Sequence, residues 1–271
     1  MGYSSRGLNR IIDDRSLFKG KDILTLGVLY PTFSNKERNR LTKMGLNLDC
    51  PKENFSKQLF IENLGAKSCE SLDIDDYQGA ELLTNLNKEM PPDFHEKYDI
   101  VVDLGTLEHL SNVPIALNNI FSLIRPNGAY YFGLPCNNWV DHGFFQFSPT
   151  FFKDLCYTNQ NIVLKSCMLE FGNTLQDVAT NDLIAYSAYA SRNKTAVLGE
   201  IKKLFSDEIN FDLSQEKYRM LYAKGNKLTS DKVSFYSRLK TRLVKLFISN
   251  TLIPFTIKKL LIMLVNLVKR K

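Results

Sequence analysis

Residues 103–109 read DLGTLEH, which sets Asp103, Gly105, Glu108 and His109 within seven positions, directly after the apolar run YDIVV. A carboxylate beside an imidazole is the material of general acid–base chemistry: the imidazole exchanges a proton near neutral pH, and the carboxylate orients it. A second such pair, Asp141 and His142, stands in DHGFFQF. His142 is the stronger base candidate, because it lies on a glycine-containing loop after a strand, where function concentrates. Asp141 is placed to orient it, and His109 is the second candidate. Each imidazole also has a structural reading, as a ring that pins a loop by bonding a carbonyl, and Glu108 can cap the helix that follows. Phe144, Phe145, Phe147, Phe151 and Phe152 read as core before they read as a substrate wall. Three histidines, and five cysteines without a CxxC pair, give no expectation of a metal site.

These groups need a scaffold, and the hydrophobic pattern supplies one. Residues 22–29, 68–74, 98–104 and 129–135 read as strands; Ile100, Val101 and Val102 in succession imply burial on both faces, as in a parallel sheet. Between the last two lies an amphipathic helix, capped by Ser111 or Asn112 and closed by the turn RPNG at 125–128. Strand, helix, strand with short links is a βαβ unit with a right-handed crossover. A further helix begins at Ser148-Pro149, and NIVLKSCMLEFG and DLIAYSAYAS read as two more strands. Residues 193–236 alternate charged and apolar positions and read as helical. In an open parallel sheet, ligands bind beyond the carboxyl ends of the strands. That rule makes candidates of Gly27, of Asp73 and Asp75, of residues 103–109 and of residues 135–141.

The chain has 271 residues, 44% hydrophobic and 24% charged, the profile of an ordinary folded protein. Its five cysteines read as reduced thiols of a cytoplasmic protein. The net charge of +6 is unevenly placed: residues 232–271 carry ten Lys or Arg and no Asp or Glu, so the rest of the chain is near −4. The positive charge therefore gives no reason to expect a nucleic-acid partner. The stretch 237–271 mixes cations with apolar runs at 246–257 and 260–268, each shorter than the roughly 18 residues that span a bilayer. It reads as a basic amphipathic helical tail, suited either to an anionic membrane surface or to packing on protein. The expected division is an α/β domain over 1–192, a helical extension over 193–236 and this tail over 237–271.

The order and spacing of YDIVVDLGTLEHLSNVPIALNNIFSLIRPNGAYYFGLP resembles the second half of class I S-adenosylmethionine-dependent methyltransferases, and the resemblance extends over about residues 20–190. It implies a Rossmann-like sheet with helices on both faces, and S-adenosylmethionine as cofactor. The expected acceptor is a small molecule with an oxygen or nitrogen nucleophile, and tethering of the tail to a membrane would fit a glycan or lipid-linked one. Gly27 stands where the first glycine of the cofactor loop would be. Asp73 matches the acid that accepts from both ribose hydroxyls, and Asn85 stands where a contact to the adenine amino group is made. Asp103, Gly105 and Glu108 would border the methyl-donor end. The chain departs from the pattern in its first loop, TLGVLYPTF, which has one glycine, and Thr25 where an acid is usual. That departure keeps open a second reading, a catalytically silent relative acting as a binding or scaffold protein at a membrane surface.

Overall fold

The computed structural model describes residues 5–30, 33–48, 50–171, 174–178 and 194–215. Helix α1 (Ser5–Asp13) leads into strand β1 (Asp22–Leu26), then α2 (Asn35–Lys43). Helix α3 starts as Phe55–Lys57 and continues as a π-helical turn over Gln58–Asn63. Strands β2 (Ser68–Asp73), β3 (Leu82–Leu83) and β4 (Tyr98–Asp103) follow, then α4 (Val113–Leu123), β5 (Ile124–Asn137), α5 (Pro149–Thr158), β6 (Ile162–Phe171), β7 (Thr174–Asp177) and β8 (Thr195–Lys203). All eight strands form one sheet in the order β3-β2-β1-β4-β5-β8-β6-β7. Pairing is parallel from β3 to β5 and antiparallel from β5 onward. The fold is thus the α/β, Rossmann-like sheet that the sequence suggests.

Both faces of the sheet are covered, because alternate residues of each central strand point to opposite sides. Leu24, Val101, Tyr130 and Phe132 meet α4 and α5 through Leu117, Ile120 and Phe152. Ile23, Ile100, Val102 and Tyr131 meet α1 and α3 through Ile11, Ile12 and Phe60 on the other face. The caps read from the sequence are present: the Asn112 side chain accepts from the Ile115 amide, and Ser148 accepts from Thr150. Phe147 and Phe152 are core, whereas Phe144 and Phe145 are exposed.

Two expectations are corrected. Residues 195–203 are not helical: they form β8, which lies between β5 and β6. Leu198, Ile201 and Phe205 have helical spacing, but Thr195, Val197, Gly199, Ile201 and Lys203 alternate, and burial follows that period of two. The sheet unit therefore passes residue 192, and the chain stays packed on it as far as Ile209, Phe211 and Leu213. RPNG is also not a separator before a strand. It lies inside β5, where the register with β4 shifts between Tyr98 and Ile100, with Asn127 at φ 68. Helices α1 to α3 and the short β3 had no place in the sequence reading. The strand expected at DLIAYSAYAS, residues 216–236 of the expected helical extension and the tail 237–271 lie outside the described residues. Among the described residues, no helix is long and apolar enough to cross a membrane.

Gly199 sets how closely β8 can approach β5. A Cβ there would stand 2.4 Å from Phe132 Cζ and 2.7 Å from the Ser166 carbonyl oxygen. Overpacking of this kind costs about 1–3 kcal/mol. Gly199→Val is expected to lower the urea midpoint accordingly, with little change in the slope of the transition; an unchanged midpoint would show that β8 is not packed between β5 and β6 in this way.

Candidate functional site

The strand order runs outward in opposite directions from β1 and β4, so their carboxyl ends form the switch point at which an α/β sheet opens a crevice. A cleft of about 230 Å³ lies there, lined by Gly27, Tyr30, Asp73, Tyr77, Leu104 and Thr106 among others. Three loops build it. The first leaves β1 at Gly27, whose amide donates to the Leu72 carbonyl and whose φ of 74° lies in the left-handed region. A Cβ at this position would point at Thr106 Oγ1 (3.5 Å) and Asp73 Oδ2 (3.9 Å). Residue 27 thus sits between a hydroxyl and a carboxylate. Asp73 Oδ1 accepts from the Ile74 amide at 2.7 Å, which fixes the carboxyl while Oδ2 faces the glycine.

The third loop is DLGTLEH. Asp103 is fully buried at the end of β4, and burial raises its pKa. Its Oδ1 accepts from the amides of Gly105 (3.1 Å) and Thr106 (2.8 Å), and its Oδ2 accepts from the Tyr130 hydroxyl (2.8 Å). Those bonds fold the chain back, with Gly105 at φ 106. The Thr106 hydroxyl then donates to the Leu26 carbonyl at 2.8 Å. Thr106 thereby ties the ends of β4 and β1 together at the floor of the cleft.

Past Thr106 a 3-10 turn, Leu107–His109, carries Glu108 onto the rim beside the loop that follows β5. Amides of Phe144 and Phe145 donate to the Glu108 carbonyl (2.7 and 3.1 Å), and a Cβ on Gly143 would stand 2.8 Å from Glu108 Cγ. Glu108 Oε1 lies 3.4 Å from His142 Nε2 and 3.8 Å from His109 Nε2. The two imidazoles meet edge to face with centroids 5.0 Å apart. Burial, with the charge of Asp103 adding to it, pushes the Glu108 carboxyl up to about 8. Burial also lowers the pKa of His109, helped by His142. Trp139 lies over His142 at 5.1 Å, and its indole N–H donates to the Thr195 carbonyl.

Of the residues singled out in the sequence, Gly27 and Asp73 line the cleft. Asp103 and Gly105 shape it from behind, because their polar groups are spent on each other and on Thr106 and Tyr130. Asn85 is not among the lining residues: its Oδ1 accepts from the Asn87 amide in a local turn. Glu108, His109 and His142 form their own cluster on the rim. The carboxylate beside His142 is that of Glu108, 34 positions earlier, whereas the adjacent Asp141 is exposed at φ 62. Tyr77 and Gln78 were missed, although an aromatic in the acidic stretch DIDDYQG after a strand end was a signal for them. Tyr77 is 88% exposed at the mouth of the cleft.

No protein-family description matches the chain, and no curated protein matches it. Solved structures are similar to it at low sequence identity. The 1,6-didemethyltoxoflavin-N1-methyltransferase of Burkholderia thailandensis, with bound 1,6-didemethyltoxoflavin and S-adenosylhomocysteine, is 10% identical over 74% of this chain and 77% of that one, at a TM-score of 0.40. The N-methyltransferase NodS from Bradyrhizobium japonicum WM9, in complex with S-adenosylhomocysteine, is 12% identical over 73% and 86%, at 0.40. The [4+2]-cyclase SpnF is 12% identical over 73% and 80%, at 0.43.

The Glu108 carboxyl gives a pH signature. Its folded pKa, about 8, stands above the ordinary value of 4.5, so the folded state holds its proton longer than the unfolded chain. The group therefore contributes stability below pH 4.5 that is lost as pH rises to about 8. His109, His142 and Asp103 face it. In buffer containing EDTA, Glu108→Gln is expected to melt above the wild type at pH 9, and the gap should shrink as pH falls towards 5. A gap that widens towards low pH would contradict this assignment.

Proposed function

We propose that the chain is an S-adenosylmethionine-dependent methyltransferase whose donor occupies the cleft at the ends of β1, β2 and β4. The observation that carries the reading is the convergence of Gly27, Asp73 and Thr106 on that cleft. The residues suit the ligand. The absent side chain at position 27 leaves room between a hydroxyl and a carboxylate, the cradle that an extended ribosyl ligand needs. Asp73 would accept from the two ribose hydroxyls, as vicinal O–H donors suit one carboxylate. Tyr77, exposed at the mouth, would lie against the adenine face. The cofactor, when bound, supplies an activated methyl group on a sulfonium. The chain's own task is to hold the acceptor in line with it and to keep water out.

The first loop reaches the same end by another route. Instead of several glycines entering a helix, Val28 and Leu29 are buried, and the Leu29 amide donates to the Ser56 hydroxyl. Helix α2 does not begin until Asn35, behind a capping box of Ser34 and Glu37. The donor's methionine end would therefore meet Gly27 and Tyr30 rather than a helix N-terminus.

The rim cluster stands on the acceptor side. His142, flanked by Glu108, is the group that would take a proton from an acceptor hydroxyl or amine, with His109 beside it and Asp141 on the exposed shoulder of the loop. The acceptor would be a small molecule or a glycan that approaches the cleft past this cluster. The basic stretch 237–271 would hold the protein to the anionic inner face of a membrane, where each Lys or Arg contributes about 1 kcal/mol.

Titration of S-adenosylmethionine by calorimetry tests the donor site. The wild type is expected to bind in a single class of site, and Asp73→Ala to bind at least tenfold more weakly while unfolding at the same temperature. Absence of heat with the wild type would leave the silent-relative reading in its place. Sedimentation with phosphatidylserine vesicles tests the tail: the full chain is expected to sediment and a chain ending at residue 236 to stay in solution, whereas equal retention would remove the membrane assignment.

A further inference from the structure

Three side chains on the rim form an arrangement that acid–base chemistry alone does not explain. Glu108, His109 and His142 present one carboxylate oxygen and two imidazole nitrogens that all lie within 4.8 Å of one another. Glu108 is only 1% exposed, and its Oε2 has no hydrogen-bond partner among the described residues. His109 Nε2 is likewise buried and unpartnered among the described residues. A buried carboxylate oxygen and a ring nitrogen left unsatisfied cost stability, and side chains in this condition call for a missing partner.

We propose that Glu108, His109 and His142 bind one divalent first-row transition ion at the rim of the cleft. Two imidazoles and one carboxylate are a donor set that such ions take, through nitrogen and oxygen at about 2.0–2.2 Å. Tetrahedral geometry at those bond lengths separates ligand atoms by about 3.4 Å. The Glu108 Oε1 to His142 Nε2 distance is 3.4 Å and Oε1 to His109 Nε2 is 3.8 Å, so these two pairs stand at or near that spacing, and all three ligand atoms lie within 4.8 Å of one another.

The backbone holds this arrangement in advance. Glu108 and His109 share one 3-10 turn, and the amides of Phe144 and Phe145 fasten the His142 loop to the Glu108 carbonyl. Gly143 lets that loop close on the Glu108 side chain, since a Cβ there would collide with Cγ and the carbonyl oxygen. The Trp139 ring lies against His142, with centroids 5.1 Å apart, and is itself anchored to the Thr195 carbonyl. With the ion bound, His142 is a ligand and no longer a free base, and three protein ligands leave a coordination position open to water or to an oxygen or nitrogen of a substrate. Glu108 follows Thr106, which lines the cleft, by two positions in the chain. The ion site does not depend on the methyl-transfer reading, and its occupancy is measured without S-adenosylmethionine.

The test uses the tag-free full chain, stripped with EDTA and dialysed. Zn2+ is titrated by calorimetry into the wild type, Glu108→Gln, His142→Asn and His95→Asn, the last being the histidine outside the cluster. The wild type and His95→Asn are expected to bind one equivalent, and the two cluster variants to bind at least 100-fold more weakly. Co2+ gives a second readout on the wild type that requires no variant to fold. Visible d–d bands should saturate at one equivalent, together with quenching of the single tryptophan, Trp139, which lies 5.1 Å from His142. Equal Zn2+ affinity in wild type and His142→Asn, no visible bands with folded wild type, or an intense near-ultraviolet band from a cysteine-bound ion would each overturn the proposal.

Discussion

The buried carboxylate of Asp103 is the constraint on which the geometry of the cleft and its rim depends. A charge-bearing group at the end of a central strand, with no access to water, is tolerated only when its acceptor positions are filled. Here two backbone amides and the Tyr130 hydroxyl fill them, and in doing so they reverse the chain at Gly105. The reversal places Thr106 over the end of β1 and sends Glu108 to the rim. A chain that left β4 in any other direction would bring neither the Thr106 hydroxyl to the Leu26 carbonyl nor the Glu108 carboxyl to His142. Asp103 thus spends its carboxylate oxygens on the loop itself, and it shapes the cleft through its neighbours.

Two faces of one sheet meet different demands around this point. Tyr130 packs with Phe121 and Phe132 in the core while its hydroxyl secures Asp103, so the aromatic layer and the polar turn are one structure. Phe132 in turn stacks on Phe152 at 4.1 Å and lies against Gly199 of β8. The antiparallel strands β8, β6 and β7 therefore close the hydrophobic layer behind the rim. The Trp139 indole, bonded to Thr195 at the start of β8, carries that closure to the His142 loop. Stability of the sheet and placement of the histidine are linked through this one strand.

Much of the parallel half was legible in the sequence because burial on both faces writes itself as continuous apolar runs. YDIVVDL and DILTL are strands for that reason, and the caps at Asn112 and Ser148 announce their helices. The errors have equally physical sources. Residues 195–203 satisfy a helical spacing through Leu198, Ile201 and Phe205 while obeying a period of two, and only the pairing with β5 and β6 decides between them. RPNG has turn chemistry, and it does turn the chain, but as an irregularity within a strand. Gly27 and Asp73 were found because strand ends are countable. Asp103 was placed correctly at a strand end, and its full burial, which no local pattern reveals, turns its oxygens onto Gly105, Thr106 and Tyr130. The pairing of His142 with Glu108 spans 34 residues, so the adjacent Asp141 was the nearest carboxylate that the sequence could offer.

The central claim is that Gly27, Asp73 and Thr106 surround one site for an adenosyl ligand. A crystal structure of the chain grown with S-adenosylhomocysteine tests it most directly. The account predicts density for the ligand between these three residues, with a ribose hydroxyl within hydrogen-bond distance of the Asp73 carboxylate. Ligand density on another face of the sheet, or a cleft closed by the Tyr30 ring with no ligand in it, would contradict the account.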